Sequence, residues 1–388
     1  MLYGNGIHDD TAAIQALLDK RGIVTIDQPG TYLISKTLII HSNTKLVLSP
    51  GVHIIAAPNS RCTLIQNEAL LSLGKTRDEN IEIVGGTWDA NCDEQGLNYA
   101  YEADHRLDDP FSLDIFKGKA IRFGFIDRIV LQQMVVRNPV SYGIQIGAVN
   151  GFVVRDIYFD YNWHFQTTDG VHINGPAYDG VIENLDGTTN DDLVSLTTYD
   201  EPHAEFSIGP IENVAIHNLC GHNAYSGIRL LSGEDCPLRA IHISGLYGTY
   251  RHHGIVINNN NKRPGKNWFD QIVIENVFAC KSDTPLGPDC ALYWENNADR
   301  NAFLYFGVDA VCGNITVRNV HRHQEISTES PLFRFDETCS IDRLVLDNIY
   351  QSLGEGATAP LWRDKGANLK CVIETNSITS TVDKSIIG

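Results

Sequence analysis

The chain contains no run of lysine or arginine in 388 residues, and its formal net charge is -18. A field of that sign repels a phosphate backbone, so nucleic acid is not an expected partner. No apolar stretch approaches the roughly 18 residues of a membrane span. The N-terminus, Met1-Leu2-Tyr3-Gly4-Asn5-Gly6, has no basic segment followed by an apolar run. The expectation is a soluble chain with no export signal and no membrane partner, either cytoplasmic or secreted after removal of a signal. The nine cysteines include no Cys-x-x-Cys pair, so zinc and redox motifs of that kind are missing and reduced, mostly packed thiols are expected.

What is present is an ordinary globular balance, 43% hydrophobic and 20% charged residues, enough to bury a large core. The length exceeds a usual domain, but elongated β-architectures run this long around one core, so residues 1–388 are read as a single domain.

A loose repeat supplies that architecture. Copies read apolar-x-Asn/Asp/Gly-apolar: Val154-Arg155-Asp156-Ile157, Ile182-Glu183-Asn184-Leu185, Ile216-His217-Asn218-Leu219, Ile243-Ser244-Gly245-Leu246, Ile274-Glu275-Asn276-Val277, Val317-Arg318-Asn319-Val320 and Leu346-Asp347-Asn348-Ile349. The Asn/Asp/Gly positions are 28, 34, 27, 31, 43 and 29 residues apart. Such self-similarity marks a solenoid, the alternation marks strands, and the Asn or Gly suits a corner with left-handed backbone. The expected fold is all-β, a parallel β-helix.

A second column of strands supports the stacking: Ile121-Arg122-Phe123, Ile144-Gln145-Ile146, Val171-His172-Ile173, Val194-Ser195-Leu196, Ile228-Arg229-Leu230, Ile255-Val256-Ile257 and Leu292-Tyr293-Trp294. Their middle residues Arg122, Gln145, His172, Ser195 and Arg229 are expected to face outward as a polar ladder, lining a groove for an extended ligand. Residues 1–60 read as a cap and first coils. Asp9-Asp10-Thr11 offers helix-capping chemistry, and Ala13, Ile14, Leu17 and Leu18 share one face of a short helix ending near Gly22, which would cover the open solenoid end. Residues 89–117 interrupt the repeat and are expected to form a groove wall.

The chemistry concentrates in Thr168-Asp169-Gly170 and Asn190-Asp191-Asp192. Aligning Val171 with Val194 sets Asp169 against Asp192 at a spacing of 23 residues, one coil apart. Coils stack roughly 4.8 Å apart, so the three carboxylates repel one another and at least one is expected to keep a proton near neutrality. One protonated acid and one ionised base are what glycosidic cleavage requires. Asp-Gly is also a turn dipeptide, and Asp191-Asp192 alone also suits a loop or a calcium ligand pair. The remaining histidines, including His252-His253 and His321/His323, are assigned to the surface.

The run Thr167-Thr168-Asp169-Gly170-Val171-His172-Ile173 followed by Asn190-Asp191-Asp192 resembles the Asn-Thr-Asp-Gly and Gly-Asp-Asp motifs of family 28 glycoside hydrolases, the polygalacturonase-like enzymes. Gly86-Thr87-Trp88-Asp89-Ala90-Asn91 resembles their Gly-Thr-Ile-Asp-Gly strand. The segment from Gly4 to Gln15 is similar to the opening of many pectin-degrading β-helix proteins. The resemblance implies a right-handed, pectin lyase-like β-helix and an inverting hydrolase without cofactor or metal, with Asp191 protonating the leaving oxygen and Asp169 and Asp192 activating water. A diagonal Asp169/Asp191 pair would then supply the roughly 6.5 to 9.5 Å separation that admits the water.

Its Gly-His-Gly element is matched only by Gly221-His222-Asn223, and its Arg-Ile-Lys by Arg229-Leu230-Leu231, which keeps the arginine and lacks the lysine. Arg229, His222, His172, Gln145 and Arg122 are the expected substrate-binding residues. The expected partner is a pectic or related polysaccharide. A rhamnogalacturonan fragment, a neutral galactoside or an end-processed oligosaccharide fits as well as homogalacturonan. Two alternatives stay open on the same fold: a calcium-dependent polysaccharide lyase or epimerase, and a non-catalytic glycan-binding solenoid.

Overall fold

The computed structural model describes residues 1–95, 118–199, 206–233, 235–259, 268–282, 284, 302–376 and, for the backbone, 378–381. Among them 24 strands join one parallel sheet that winds into a right-handed β-helix. The register follows the repeat read from sequence. Val154 pairs with Ile182, Ile182 with Ile216, Ile216 with Ile243, Ile243 with Ile274, Ile274 with Val317, and Val317 with Leu346. All seven side chains are buried in one continuous core. Each would leave roughly 1.5–3 kcal/mol unrealised if exposed, which is why no single coil is stable without its neighbours.

The corner residues explain why the coils turn where they do. Asp156, Asn184, Asn218, Asn276, Asn319 and Asn348 all have φ between 52° and 56°, and Gly245 has φ 85°. Asparagine tolerates this left-handed backbone and spends its side chain on the next coil. Asn184 Nδ2 donates to Asp156 Oδ1 at 2.9 Å, Asn218 to Asn184 at 3.2 Å, and Asn348 to Asn319 at 3.0 Å.

The second column stacks as expected from Ile121 through Ile144, Val171, Val194, Ile228 and Ile255. The next rung differs. Leu304–Phe306, not Leu292-Tyr293-Trp294, pairs with Ile255–Ile257; residues 292–294 lie outside the described residues. Both triplets are a leucine followed by two aromatic residues, so pattern alone could not choose between them.

The capping helix is present as Thr11–Leu18, with Gly22 already opening the next strand. Ile14 and Leu18 enter the core. Gln15 Nε2 donates to the Ile39 carbonyl at 2.9 Å, and the Ile39 N–H donates to Gln15 Oε1 at 2.8 Å, so the helix satisfies backbone groups of an uncovered strand. The buried Asp10 carboxylate accepts from the Tyr3 and Gly4 N–H groups instead of capping the helix, while Asp9 accepts from the Thr11 N–H. Of the expected insertion at 89–117, residues 96–117 lie outside the described residues.

Candidate active site

Register carries the two acidic segments to one corner of the helix. Val171, His172 and Ile173 pair with Val194, Ser195 and Leu196, and the Gly170 N–H donates to the Asp192 carbonyl at 2.9 Å. A Cβ on Gly170 would lie 2.5 Å from the Leu193 carbonyl oxygen and 3.0 Å from the Phe159 ring. Only glycine lets the coils close here, so Thr-Asp-Gly has a packing reason beside the acidic one.

The three carboxylates converge. Oxygens of Asp169, Asp191 and Asp192 lie within 4.8 Å of one another, and the residues are 2%, 8% and 3% exposed. Asp191 is the most accessible of the three. Asp169 is held at both oxygens, by the Asp192 N–H at 3.2 Å and by His172 Nδ1 at 2.6 Å. The His172 ring stacks on Tyr142 with centroids 4.1 Å apart, and the Lys119 ammonium sits over Tyr142, 4.3 Å from its centroid. Burial, together with the charges of Lys119 and Arg229, pushes the His172 imidazole well below its usual range. His172 is therefore neutral, and the tautomer with its hydrogen on Nδ1 donates to Asp169. The oxygens approach more closely than the wide pair anticipated from sequence. Their spacing alone does not select inversion.

Behind the triad the polar ladder is not a solvated face. Arg122, Gln145, His172 and Ser195 are buried and Arg229 is half-buried. Arg122 Nε donates to Gln145 Oε1 at 3.2 Å, and Gln145 Nε2 donates to Asn174 Oδ1 at 2.8 Å. The Arg122 guanidinium lies over the Phe206 ring, 5.1 Å from its centroid. Phe206 fits because Gly124 and Gly147 have no side chains; a Cβ on either would come within 2.3 or 2.9 Å of that ring. Burial lowers Arg122 to about 10. Arg122 and Gln145 thus point away from the core as expected but are covered rather than lining an open face, whereas Arg229 remains partly open, its Nε donating to Asn258 Oδ1 at 3.4 Å.

The same corner continues past the triad. Asp192 pairs with Ser226, and the Gly227 N–H donates to the His253 carbonyl at 3.0 Å. Successive coils therefore set Tyr225 and His252 in line with Asp191, and Ser226 and His253 in line with Asp192. Tyr225, rather than His222, follows Asp191 in register. His222 is turned to the outer face of the coil, where its Nε2 meets Asp186 Oδ1 at 2.6 Å.

His252-His253, assigned to the surface from sequence, is also corrected. His253 is buried with Nδ1 2.7 Å from the Ala302 carbonyl oxygen, and burial pushes it down to about 3. His252 stacks on Tyr225 at 4.7 Å, and burial, then His253 and nearby cations, push it well below its usual range. The Arg251 guanidinium lies over Trp163 at 4.7 Å and donates to Asn190 Oδ1 at 2.6 Å. The Lys281 ammonium donates to the Arg251 and His252 carbonyls. A signal for these residues existed: Tyr225-Ser226-Gly227-Ile228 and His252-His253-Gly254-Ile255 repeat the layout of Thr168-Asp169-Gly170-Val171.

No protein-family profile matches this chain, and no curated protein sequence matches it. Solved structures do. An exopolygalacturonase from Thermotoga maritima superposes with TM-score 0.64 at 14% identity, covering 97% of this chain and 90% of that one. The family 28 exopolygalacturonase of Yersinia enterocolitica gives 0.63 at 15%, covering 98% and 76%. The Streptococcus pneumoniae surface adhesin PfbA gives 0.56 at 16%, covering 98% of both. What they share with this chain is the fold. The resemblance to family 28 enzymes read from the acidic motifs thus has a counterpart in architecture, and the fold is equally that of an adhesin.

Proposed function

We propose that this protein is a glycoside hydrolase acting on a uronate-containing pectic or related glycan. The observation that carries the reading is the convergence of three nearly buried carboxylates from adjacent coils, one of them fixed by a neutral histidine. In this reading Asp191, the most accessible, donates its proton to the glycosidic oxygen as the bond to the anomeric carbon breaks. Asp169 and Asp192 hold a water, take its proton, and aim the resulting hydroxide at that carbon. The donor from His172 keeps Asp169 ionised and oriented for this role. Like-charge repulsion within the triad favours a proton on the remaining acid.

The preference for an acidic sugar rests on local charge. On a chain of net charge -18, the depressed histidines beside the triad each feel cations: Lys119 and Arg229 at His172, and Arg229, Arg251 and Lys281 at His252. Arg229, half-buried and felt by both histidines, is the cation suited to meet a sugar carboxylate even without the lysine that Leu231 replaces.

A second reading has one observation in its favour. Three carboxylate oxygens within 4.8 Å also suit a divalent cation, as a lyase or epimerase would use. Incubating pectic and galactose-rich oligosaccharides with wild type and with the Asp169→Asn and Asp191→Asn variants separates the two. Hydrolysis expects new reducing ends without ultraviolet absorbance, lost in both variants. Unsaturated, chelator-sensitive product overturns it, as does full activity in the variants.

A further inference from the structure

Outside the acidic corner, the exposed face of the coil brings together three side chains whose chemistry no part of the proposed hydrolysis uses. Asp186 pairs in register with Cys220 on the next coil, and His222 lies two residues beyond Cys220, so both project from the same side of their strand. Donor atoms of Asp186, Cys220 and His222 all lie within 4.8 Å of one another. His222 Nε2 is the meeting point, 2.6 Å from Asp186 Oδ1 and 4.0 Å from Cys220 Sγ.

We propose that these three residues form a zinc-class metal site that clamps two consecutive coils. The donor set selects the ion. One sulfur, one imidazole nitrogen and one carboxylate oxygen match a tetrahedral zinc centre and are wrong for calcium or magnesium, which take oxygen shells. Zinc bonds of about 2.0 Å to nitrogen and oxygen and about 2.3 Å to sulfur separate neighbouring donors by roughly 3.3–3.5 Å. The observed separations from Nε2 bracket that range, one shorter and one longer. His222 and Asp186 have side chains 55% and 49% exposed, so both can open to admit the ion without disturbing the core.

Three protein ligands leave the fourth position to water. Asp186 is also part of the wall of a shallow surface groove of about 390 Å³, together with Asn184, Tyr158 and Met134. Binding would displace the Cys220 thiol proton and exchange the His222–Asp186 contact for two metal bonds. The site joins the strand Val171–Thr188, which follows the catalytic Asp169, to the strand Ile211–Ala224.

Titration of the full-length protein with zinc chloride against a chromophoric chelator tests this, with cobalt as a spectroscopic substitute. The expected result is one zinc per chain and a thiolate-to-cobalt charge-transfer band in the near ultraviolet. Both are lost in Cys220→Ser and His222→Ala, whose circular dichroism matches wild type, and both persist in Asp169→Asn/Asp191→Asn. The proposal is overturned by absence of saturable zinc binding in wild type, by binding that survives Cys220→Ser and His222→Ala, or by loss of binding only in the Asp169/Asp191 variant, which would move the ion to the acidic corner.

Discussion

His253 gives the most quantitative prediction. It is 3% exposed, it holds the Ala302 carbonyl, its ring lies against His252, and the charged groups acting on it, Lys281, Arg334 and Arg229, are all cations. Its folded-state value is about 3, against 6.5 in an unfolded chain. Because the folded value is depressed, the unfolded chain binds the proton first as pH falls. Stability is therefore complete above about pH 6.5 and lost progressively as pH drops toward 3, at up to about 1.4 kcal/mol per pH unit. By pH 5 the loss from this residue is about 2 kcal/mol, and over the whole window it is on the order of 5 kcal/mol. Asparagine can keep the donor to Ala302 and does not titrate. Urea unfolding of wild type and His253→Asn between pH 8 and 5 isolates the effect, because every other titrating group is common to the two proteins and cancels in the difference. The two curves should converge by about 2 kcal/mol on acidification. Parallel curves across that range would refute the burial of a neutral imidazole here.

Further predictions concern the acidic corner. Gly170→Ala should cost about 1–3 kcal/mol, read as a lowered melting temperature, because its Cβ meets the Leu193 carbonyl at 2.5 Å. His172→Phe keeps the stacking on Tyr142 and removes the donor to Asp169. A charge-assisted hydrogen bond of that kind contributes roughly 1.5–3 kcal/mol, so kcat should fall about 10–100-fold and the acid limb of the pH–rate profile should move upward. An unchanged profile would mean His172 only fills space. Arg229→Ala should raise KM for acidic oligosaccharides more than it lowers kcat, and should spare neutral ones.

The fold was legible because its periodicity is redundant. Seven copies with Asn, Asp or Gly at the corner agree, and each of the five corner asparagines answers a backbone requirement and a hydrogen-bond partner at once. The acidic corner was legible for a related reason: the apolar-polar-apolar triplets Val171–Ile173 and Val194–Leu196 directly follow the two acidic segments and fix their alignment. Where a long excursion separated the triplets, reading failed. The long excursion after Ile255 hid Leu304–Phe306 behind a triplet of the same pattern. His222 was matched by local motif, while register shows Tyr225 in the position beside Asp191. The open ladder failed because strand alternation says which side a residue faces and not what covers it; Phe206 does so through gaps left by Gly124 and Gly147. Arg251 meets Asn190 across 61 residues, a distance that no local pattern encodes.

The most direct test of the central claim is proton NMR of the first products released from pectic oligosaccharides, recorded before mutarotation, with wild type and Asp191→Asn side by side. The account predicts a saturated product of a single, inverted anomer from wild type and none from the variant. A retained anomer would contradict the water-activation roles of Asp169 and Asp192, and an unsaturated product, or undiminished release by Asp191→Asn, would contradict hydrolysis at this corner.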